Sequence, residues 1–300
     1  MRIHMTRREC LGVLAATALG PGAVSAQMAQ TAPTRPAGKA TEYPFYAFDN
    51  GLNGGDAKTI EDKIKLLADL GYAGVSLHLD VKQLPAWLEQ LDKRKLELFA
   101  IYCVPFLEEV TDARLNEAVA LVKGRRTRIE LAFRSRLLKP SDPAGDAKAI
   151  DHAKRISDWC GTSGPAASIY PHAGFWTARA EDGLRLAKAV NRKNFGTNFN
   201  LVHWKWTGSD KPLPELLSDL KVHLLSVTVN GLQSAAAGQK DKIVPLDQGD
   251  FDVPAFVATV SKSGYRGPVG LQCWSIQGPS RAHLQASMAK WREIRKSLKL

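Results

Sequence analysis

The chain has 300 residues, 44% of them hydrophobic and 24% charged, and its formal net charge is +11. This composition excludes a disordered chain, and the length allows one large α/β domain or two small ones. Basic residues cluster at 93–95, 123–128 and 290–299. Each cluster falls at a predicted helix or helix end without interleaved aromatic residues, so the pattern favours a solvated outer face over a nucleic-acid surface.

The N-terminus has the pattern of an export signal. Arg7 and Arg8 precede an uncharged run at 11–20, and small residues at 24–26 form a cleavage site. A short membrane anchor is the alternative, but about ten apolar residues are too few to span a bilayer. We therefore expect a twin-arginine signal peptide at 1–26 and a periplasmic or secreted mature protein without a transmembrane segment.

The cysteines do not form a recognisable framework. Cys10 would be removed with the signal peptide, which leaves Cys103, Cys160 and Cys273. An odd number of cysteines without close spacing argues against a disulfide framework or a zinc cluster. Twin-arginine export agrees with this pattern, because it carries proteins that have already folded in the reducing cytoplasm.

After a predicted flexible linker at 27–42, short apolar strands alternate with amphipathic helices. Strands are predicted at 45–50, 73–79, 97–104, 127–133, 224–230 and 268–274, and two more begin at 168 and 197. Helices are predicted at 58–70, 81–95, 113–123, 146–159, 181–191, 213–219, 252–263 and 281–298, and a long polar loop at 233–250. Eight strand and helix pairs over residues 43–300 predict an α/β fold, a (β/α)₈ TIM barrel, whose usual size is about 250 residues.

The competing architecture is an open doubly wound sheet. That fold would need a glycine-rich phosphate turn directly after its first strand. The run Gly51-Leu52-Asn53-Gly54-Gly55 is rich in glycine, but it lacks the spacing and does not open a helix. The barrel is therefore favoured.

The stretch 168–206 indicates where a site would lie. It has the pattern of a strand, a helix and a strand, which together form a parallel βαβ unit whose two strands end at the same edge. His172 and His203 are expected side by side at that edge, where ligands bind in barrels of this kind. The alternative for either residue is a core histidine whose ring is satisfied by a backbone carbonyl.

Amide side chains also lie near predicted strand ends. Asn200, Asn230 and Gln272 can both donate and accept hydrogen bonds, which suits the hydroxyl groups of a sugar. The alternative is that they bond to one another within the polar upper layer of the barrel. His78, near the end of the second predicted strand, is a further candidate for substrate binding.

Tryptophans lie at or just beyond the same strand ends, at Trp176, Trp204, Trp206 and Trp274. A tryptophan face can stack on the apolar face of a sugar ring, or the residue can simply close the top of the barrel. Arg134 and Lys205 could bind a phosphate or carboxylate, but the charge of a surface loop is the simpler reading for each.

Several segments resemble one known family. They are Tyr170-Pro171-His172, Asn198-Phe199-Asn200-Leu201-Val202-His203-Trp204, Val229-Asn230-Gly231 and Gly267-Pro268-Val269-Gly270-Leu271-Gln272. They look like the secreted branch of the xylose isomerase-like barrel proteins, a superfamily of sugar phosphate isomerases and epimerases that also includes endonuclease IV-type enzymes. The resemblance runs from about residue 43 to the C-terminus and implies a TIM barrel.

In the catalytic epimerases of that superfamily, a divalent metal is held by Glu, Asp, His and Glu. The resemblance puts Tyr170 in place of the first Glu, Asn200 in place of the Asp and Gln272 in place of the final Glu, and the strand-seven His has no match in 226–230. Divalent ions prefer anionic oxygen or several imidazoles, so a tightly held metal is not expected. The form in which a metal could remain is a loose site at His172 and His203, with Asn200 or Gln272.

Two functions follow, and both have a small-molecule carbohydrate as the partner. The first is an exported isomerase or epimerase, or a lyase, that moves a proton next to a carbonyl, with His172 or His203 as base and acid, Tyr170 assisting and the amides holding the enolate oxygen. The alternative is a non-catalytic carbohydrate-binding barrel. DNA cleavage would need carboxylates and histidines around two or three metals, which this chain does not supply. The oligomeric state is left open.

Overall fold

Eight parallel strands close into a barrel, which confirms the predicted TIM barrel. The computed structural model describes residues 43–161, 164–236 and 238–300, so the predicted signal peptide and linker lie outside the described residues. Around the barrel the strands are β1 (Phe45–Phe48), β2 (Gly74–His78), β3 (Glu97–Cys103), β4 (Arg128–Leu131), β5 (Ala166–Ile169), β6 (Phe195–Asn200), β7 (Leu224–Val229) and β10 (Val269–Leu271). Strand β10 pairs with β1 and closes the ring.

Helices cover the outside of the barrel. They are α1 (Ile60–Leu70), α2 (Leu84–Lys93), α3 (Ala113–Leu121), α4 (Asp146–Cys160), α5 (Ala180–Val190), α7 (Leu213–Leu220), α8 (Val253–Lys262) and α9 (Ser280–Leu298). The sequence explains where they begin and end. Helix α1, for example, starts at a capping box between Thr59 and Asp62 and ends at Gly71, whose φ of 84° lies in the left-handed region.

The segment after β6 is helical, where the sequence predicted an extended strand. Helix α6 (Leu201–Thr207) begins after Asn200, whose side chain accepts a hydrogen bond from the backbone N–H of His203 at 3.1 Å. His203 therefore lies in the first turn of a helix instead of at a strand end. His172 also lies beyond its strand, because β5 ends at Ile169.

A small hairpin occupies part of the predicted polar loop. Strand β8 (Gly231–Gln233) pairs antiparallel with β9 (Lys242–Val244), and Leu232 lies opposite Ile243. The hairpin follows β7, so it stands at the C-terminal end of the barrel, where residues from it can cover whatever binds there.

The interior of the barrel contains a buried ion pair. Arg128 Nε lies 3.3 Å from Glu130 Oε1, and Arg128 Nη2 donates to the Tyr46 hydroxyl at 3.1 Å. Tyr46 stacks on Phe99 with ring centroids 4.6 Å apart. The ring fits because residue 270 is glycine: a Cβ there would lie only 2.6 Å from Tyr46. These contacts fill the barrel beneath the C-terminal strand ends.

Three cysteines, Cys103, Cys160 and Cys273, are buried free thiols. None of the helices in the described part of the chain has the length and apolarity that crossing a membrane requires.

Candidate active site

A cavity of about 680 Å³ opens at the C-terminal end of the barrel. This is an ordinary volume for a site that holds a small molecule. Its lining comes from strand ends, the turn after β5, α6 and the hairpin: Phe48, Asn50, His78, Tyr102, Tyr170, His172, Ala173, Phe175, His203, Trp206, Lys240, Asp241, Lys242, Ile243, Gln272, Trp274 and Ser275.

The two histidines of the central stretch lie together in this cavity. The rings of His172 and His203 have centroids 4.0 Å apart with an interplanar angle of 41°, and Phe175 stacks on His172 at 3.9 Å. Burial lowers the pKa of His172 to about 4 and lowers the pKa of His203 well below its usual range. Both imidazoles are therefore neutral at pH 7.

Hydrogen bonding fixes which nitrogens a ligand can use. His172 Nδ1 lies 3.0 Å from the carbonyl oxygen of Ala173. A carbonyl only accepts, so Nδ1 carries the hydrogen and Nε2 keeps a lone pair. In His203, which is 4% exposed, neither ring nitrogen has a hydrogen-bond partner among the described residues. A buried polar atom without a partner is costly, so these nitrogens are suited to a bound ligand.

Asn200 links His203 to Tyr170 through two hydrogen bonds. Its Oδ1 accepts from the His203 backbone N–H, and its Nδ2 donates to the Tyr170 hydroxyl at 2.5 Å. Burial raises the pKa of Tyr170 well above its usual range, so the phenol stays protonated. Since the Tyr170 oxygen already accepts a hydrogen bond, its own O–H is free to donate into the cavity.

Gln272 is oriented by three donors. Its Oε1 accepts from Asn50 Nδ2 at 2.6 Å, from the Cys273 N–H at 2.9 Å and from the Trp274 N–H at 3.1 Å. Because the two backbone donors fix which end is oxygen, the group that Gln272 can offer the cavity is its NH₂, a hydrogen-bond donor.

A third histidine of the lining has a carboxylate partner. His78 Nδ1 lies 2.7 Å from Asp49 Oδ1, and Asp49 Oδ2 accepts from the His78 backbone N–H at 2.8 Å. The hydrogen bond that His78 Nδ1–H donates to Asp49 raises the pKa of His78, despite partial burial. Sequence reasoning named His78 but missed Asp49, whose position after the first strand was the available signal.

Residues 64–294 match the sequence model of the xylose isomerase-like TIM barrel family. The chain belongs to this family. No curated protein matches the chain.

Solved structures with the xylose isomerase-like fold are similar along most of their length. A xylose isomerase domain protein from Planctomyces limnophilus has 17% identity and a TM-score of 0.63, with 86% of this chain and 98% of that chain covered. A D-allulose 3-epimerase from Methylomonas sp. has 13% identity and a TM-score of 0.67, covering 85% and 99%. An IOLI protein with a binding zinc atom has 14% identity and a TM-score of 0.66, also covering 85% and 99%. At these identities the likeness shows the fold alone.

Some predicted ligand residues of this xylose isomerase-like barrel lie away from the cavity wall. Trp204 packs on Phe199 and Phe256, because a position one residue after His203 on a helix is turned by about 100°. Trp206, three residues after His203, returns to the cavity face, and its Nε1 donates to the Asp241 carbonyl at 3.1 Å. In a strand, neighbouring side chains point to opposite faces, so Trp204 and Trp206 would have shared the face opposite His203.

Trp176 and Asn230 also lie outside the lining. Trp176 is 2% exposed, packs against Gly145 and donates from Nε1 to the Asp142 carbonyl, so it closes the outside of the barrel top. Asn230 is buried and donates to the Gly231 carbonyl. Neither position contributes to the cavity wall.

Two charged candidates lie over aromatic rings instead of in the lining. The Arg134 guanidinium is 5.1 Å from the centroid of Phe175, and Lys205 Nζ is 5.4 Å from that of Phe251. Of the predicted site residues, the structure therefore brings His78, Tyr170, His172, His203, Trp206, Gln272 and Trp274 into the lining, with Asn200 directly behind Tyr170. The roles assigned to them remain predictions.

Proposed function

We propose that the protein is an exported enzyme that moves a proton next to the carbonyl group of a sugar or keto-sugar, as in isomerisation or epimerisation. The observation that carries the proposal is the contact between His172 and His203, two neutral imidazoles 4.0 Å apart inside the cavity. Neutral imidazole is the form that can take a proton from carbon. The D-allulose 3-epimerase among the structural neighbours supports a sugar substrate.

His172 is the base in this proposal. Its Nε2 lone pair takes the proton from the carbon next to the carbonyl, and the C–H electron pair moves into an enolate. In the free protein its low pKa makes it a weak base, but negative charge that develops on the substrate stabilises the imidazolium and strengthens it as the reaction proceeds. The same imidazolium then gives the proton to the neighbouring carbon, while the hydroxyl proton on the first carbon passes to the enolate oxygen, so that the carbonyl moves by one position.

The enolate oxygen would be held by hydrogen-bond donors. Tyr170 offers its O–H and Gln272 its NH₂, and both are positioned by other hydrogen bonds before the substrate arrives. Donors that are already oriented stabilise developing charge without a cost of reorganisation. The faces of Trp206 and Trp274 can pack on the sugar ring.

We also propose that this reaction proceeds without the divalent metal of related epimerases, because the donor set does not fit one. Gln272 Oε1 already accepts three hydrogen bonds and so has no lone pair left for a metal, and Tyr170 is a protonated phenol. Both polar ends of Asn200 are already engaged. No group of three or more His, Cys, Asp or Glu in the described part of the chain is arranged to hold a metal ion.

The proposal is tested by isotope exchange. The full-length mature protein is incubated in D₂O with a panel of ketoses and aldoses, with and without EDTA, and deuterium next to the carbonyl is followed by NMR. We expect exchange that survives EDTA and that falls about 10²- to 10⁴-fold in His172→Asn and in His203→Asn. His223→Asn, at a histidine outside the cavity lining, is the control and should exchange normally. Unchanged exchange in both cavity variants would reject the proposal.

The second candidate is a carbohydrate-binding barrel without catalysis. It is favoured by the same aromatic and amide lining, which suffices for recognition of a sugar. Calorimetry with the same panel separates the two, since micromolar binding without deuterium exchange supports the binding protein.

Export remains part of the proposal. The support for it is the order of Arg7, Arg8, the apolar run and the small-residue cleavage site in the sequence. N-terminal sequencing of the protein recovered outside the cytoplasm tests it, with a new terminus near residue 27 expected.

A further inference from the structure

His78 and the pair of neutral histidines lie on opposite sides of the barrel. In the ring of eight strands, β2, which ends at His78, is four positions from β6, after which His203 follows. Both side chains line the same cavity. A substrate in that cavity would therefore have an imidazole on either side.

The Asp49 carboxylate clamps His78 at two points. One oxygen accepts from the backbone N–H and the other contacts ring Nδ1, at 2.8 and 2.7 Å. The clamp fixes the ring, commits Nδ1–H to the carboxylate and leaves Nε2 as the nitrogen for other partners. A carboxylate that orients a histidine in this way also stabilises its protonated form.

We propose that His78 is the general acid of the cavity, held in that role by Asp49. This inference rests on the proposed function. In the first half of turnover, the His78 Nε2–H bond breaks and its proton goes to the carbonyl oxygen, while His172 takes the proton from carbon, so that a neutral enediol forms. In the second half the hydroxyl on the first carbon gives its proton to His78 Nε2 and becomes the new carbonyl, while His172 gives its proton to the neighbouring carbon, so that the carbonyl has moved by one position. No proton is gained or lost overall.

The two histidines differ in what holds Nδ1. In His172 the partner is the uncharged carbonyl of Ala173, and burial lowers the pKa and keeps the ring neutral, whereas in His78 the partner is a carboxylate, which raises the pKa. Environments that push the pKa values of two titratable groups apart are how one site keeps a base and an acid at the same pH.

Other charged groups around His78 do not replace Asp49. The rings of Tyr102 and His78 pack edge to face, with centroids 5.3 Å apart. Asp80 and Lys63 share the smaller adjoining cavity with His78, but the Asp80 carboxylate is engaged by the N–H groups of Lys82 and Gln83 and the Gln83 amide. Asp49 is the carboxylate in hydrogen-bond contact with the ring.

Two measurements on the full chain test the inference. The first is an NMR titration of the His78 ring in wild type, Asp49→Asn and Asp80→Asn. We expect the His78 midpoint to move to lower pH in Asp49→Asn, because the negative charge on its partner is gone, and to stay in place in Asp80→Asn. An unchanged midpoint in Asp49→Asn would overturn the role assigned to the clamp.

The second is the pH profile of deuterium exchange. His78→Gln should lower exchange about 10²- to 10⁴-fold, and Asp49→Asn should move the alkaline limb to lower pH, with Asp80→Asn as the matched control that keeps the wild-type profile. Wild-type exchange with an unaltered rate and profile in His78→Gln would overturn this inference alone. Absence of exchange in the wild type would instead remove the proposed function and this inference together.

Discussion

Two buried polar clusters in the described part of the barrel differ in how their polar atoms are satisfied. Inside the strands, Arg128 and Glu130 are charged groups, 7% and 0% exposed, that face each other and share Tyr46 as a neighbour. At the strand ends, His172 and His203 are neutral, and His203 leaves two ring nitrogens without a partner in the described part of the chain. The first cluster contains its own counter-charge, although Glu130 Oε2 has no hydrogen-bond partner among the described residues, whereas the second leaves both ring nitrogens of a neutral imidazole open to a ligand.

The difference teaches how to separate a structural polar cluster from a binding one. A buried charge is tolerated when its counter-charge and hydrogen bonds are built in, and then it has little left to offer a ligand. A buried neutral group without a partner lowers stability by about 1–3 kcal/mol and persists where a ligand supplies the missing hydrogen bond. Four predictions would break or sharpen this distinction.

The largest effect is expected at the ion pair. Glu130→Gln leaves the Arg128 guanidinium buried without its counter-charge, so we expect the free energy of unfolding to fall by about 3–5 kcal/mol in urea denaturation. Glu97→Gln is the control, because Glu97 pairs with Arg126 at 2.9 Å with both side chains 49% exposed, and exposed pairs of this kind contribute about 1 kcal/mol or less. Equal losses would show that water reaches the interior and that the cluster is not sealed.

The next effect is a dependence on acid. The pKa of His172 is lowered from 6.5 to about 4, so the unfolded chain binds a proton that the native protein does not. The contribution to stability is present above pH 6.5 and is lost as the pH falls toward 4, by about 3 kcal/mol or less. Urea unfolding between pH 7 and 4.5 should therefore depend less on pH in His172→Asn than in wild type.

His78 should behave in the opposite sense, which provides the comparison. Its pKa is raised, so its contribution is present below its unfolded pKa and is lost as the pH rises through the folded value. His78→Gln should therefore lower stability only on the acid side of that range. Two variants that altered the pH dependence in the same sense would contradict the opposite pKa shifts of His172 and His78.

The smallest effect is a gain. His203→Phe replaces two unpartnered nitrogens with carbon at similar volume, so we expect unfolding free energy to stay level or rise by about 1 kcal/mol while deuterium exchange is lost. Trp204→Phe at the next position also removes an unpartnered nitrogen, Nε1, but it loses packing against Phe199 and Phe256 as well, and that loss should destabilise the protein. A loss in His203→Phe as large as that in Trp204→Phe would mean that the His203 nitrogens already have partners in the free protein.

The sequence predicted the closed barrel because eight apolar strands and their amphipathic helices carry a local period. It also placed His172 and His203 together, since parallel strands end at one edge. It misjudged the segment after β6, because 201–206 is apolar and aromatic enough to suit a strand, and only the cap made by Asn200 reveals a helix. That error put Trp204 at the wrong face.

Other features could not be read from local pattern at all. Asp49 and His78 are 29 positions apart in sequence, and Asn50 meets Gln272 across 222 positions. Contacts of this kind depend on where the closed barrel brings strand ends, which residue type alone does not specify. The hairpin of β8 and β9 was missed for a related reason, because its strands of three residues pair across a polar connection.

Gln272 shows how the ligand preference of such a pocket can change while its shape stays the same. Glutamine and glutamate have nearly the same shape but differ in one terminal atom, so the amide offers N–H donors where a carboxylate would offer an anionic acceptor. Here the backbone N–H groups of Cys273 and Trp274 donate to Oε1 of Gln272 and so fix which end of the amide is oxygen. A barrel of this family can thus keep its contours and change what it attracts through single-atom replacements.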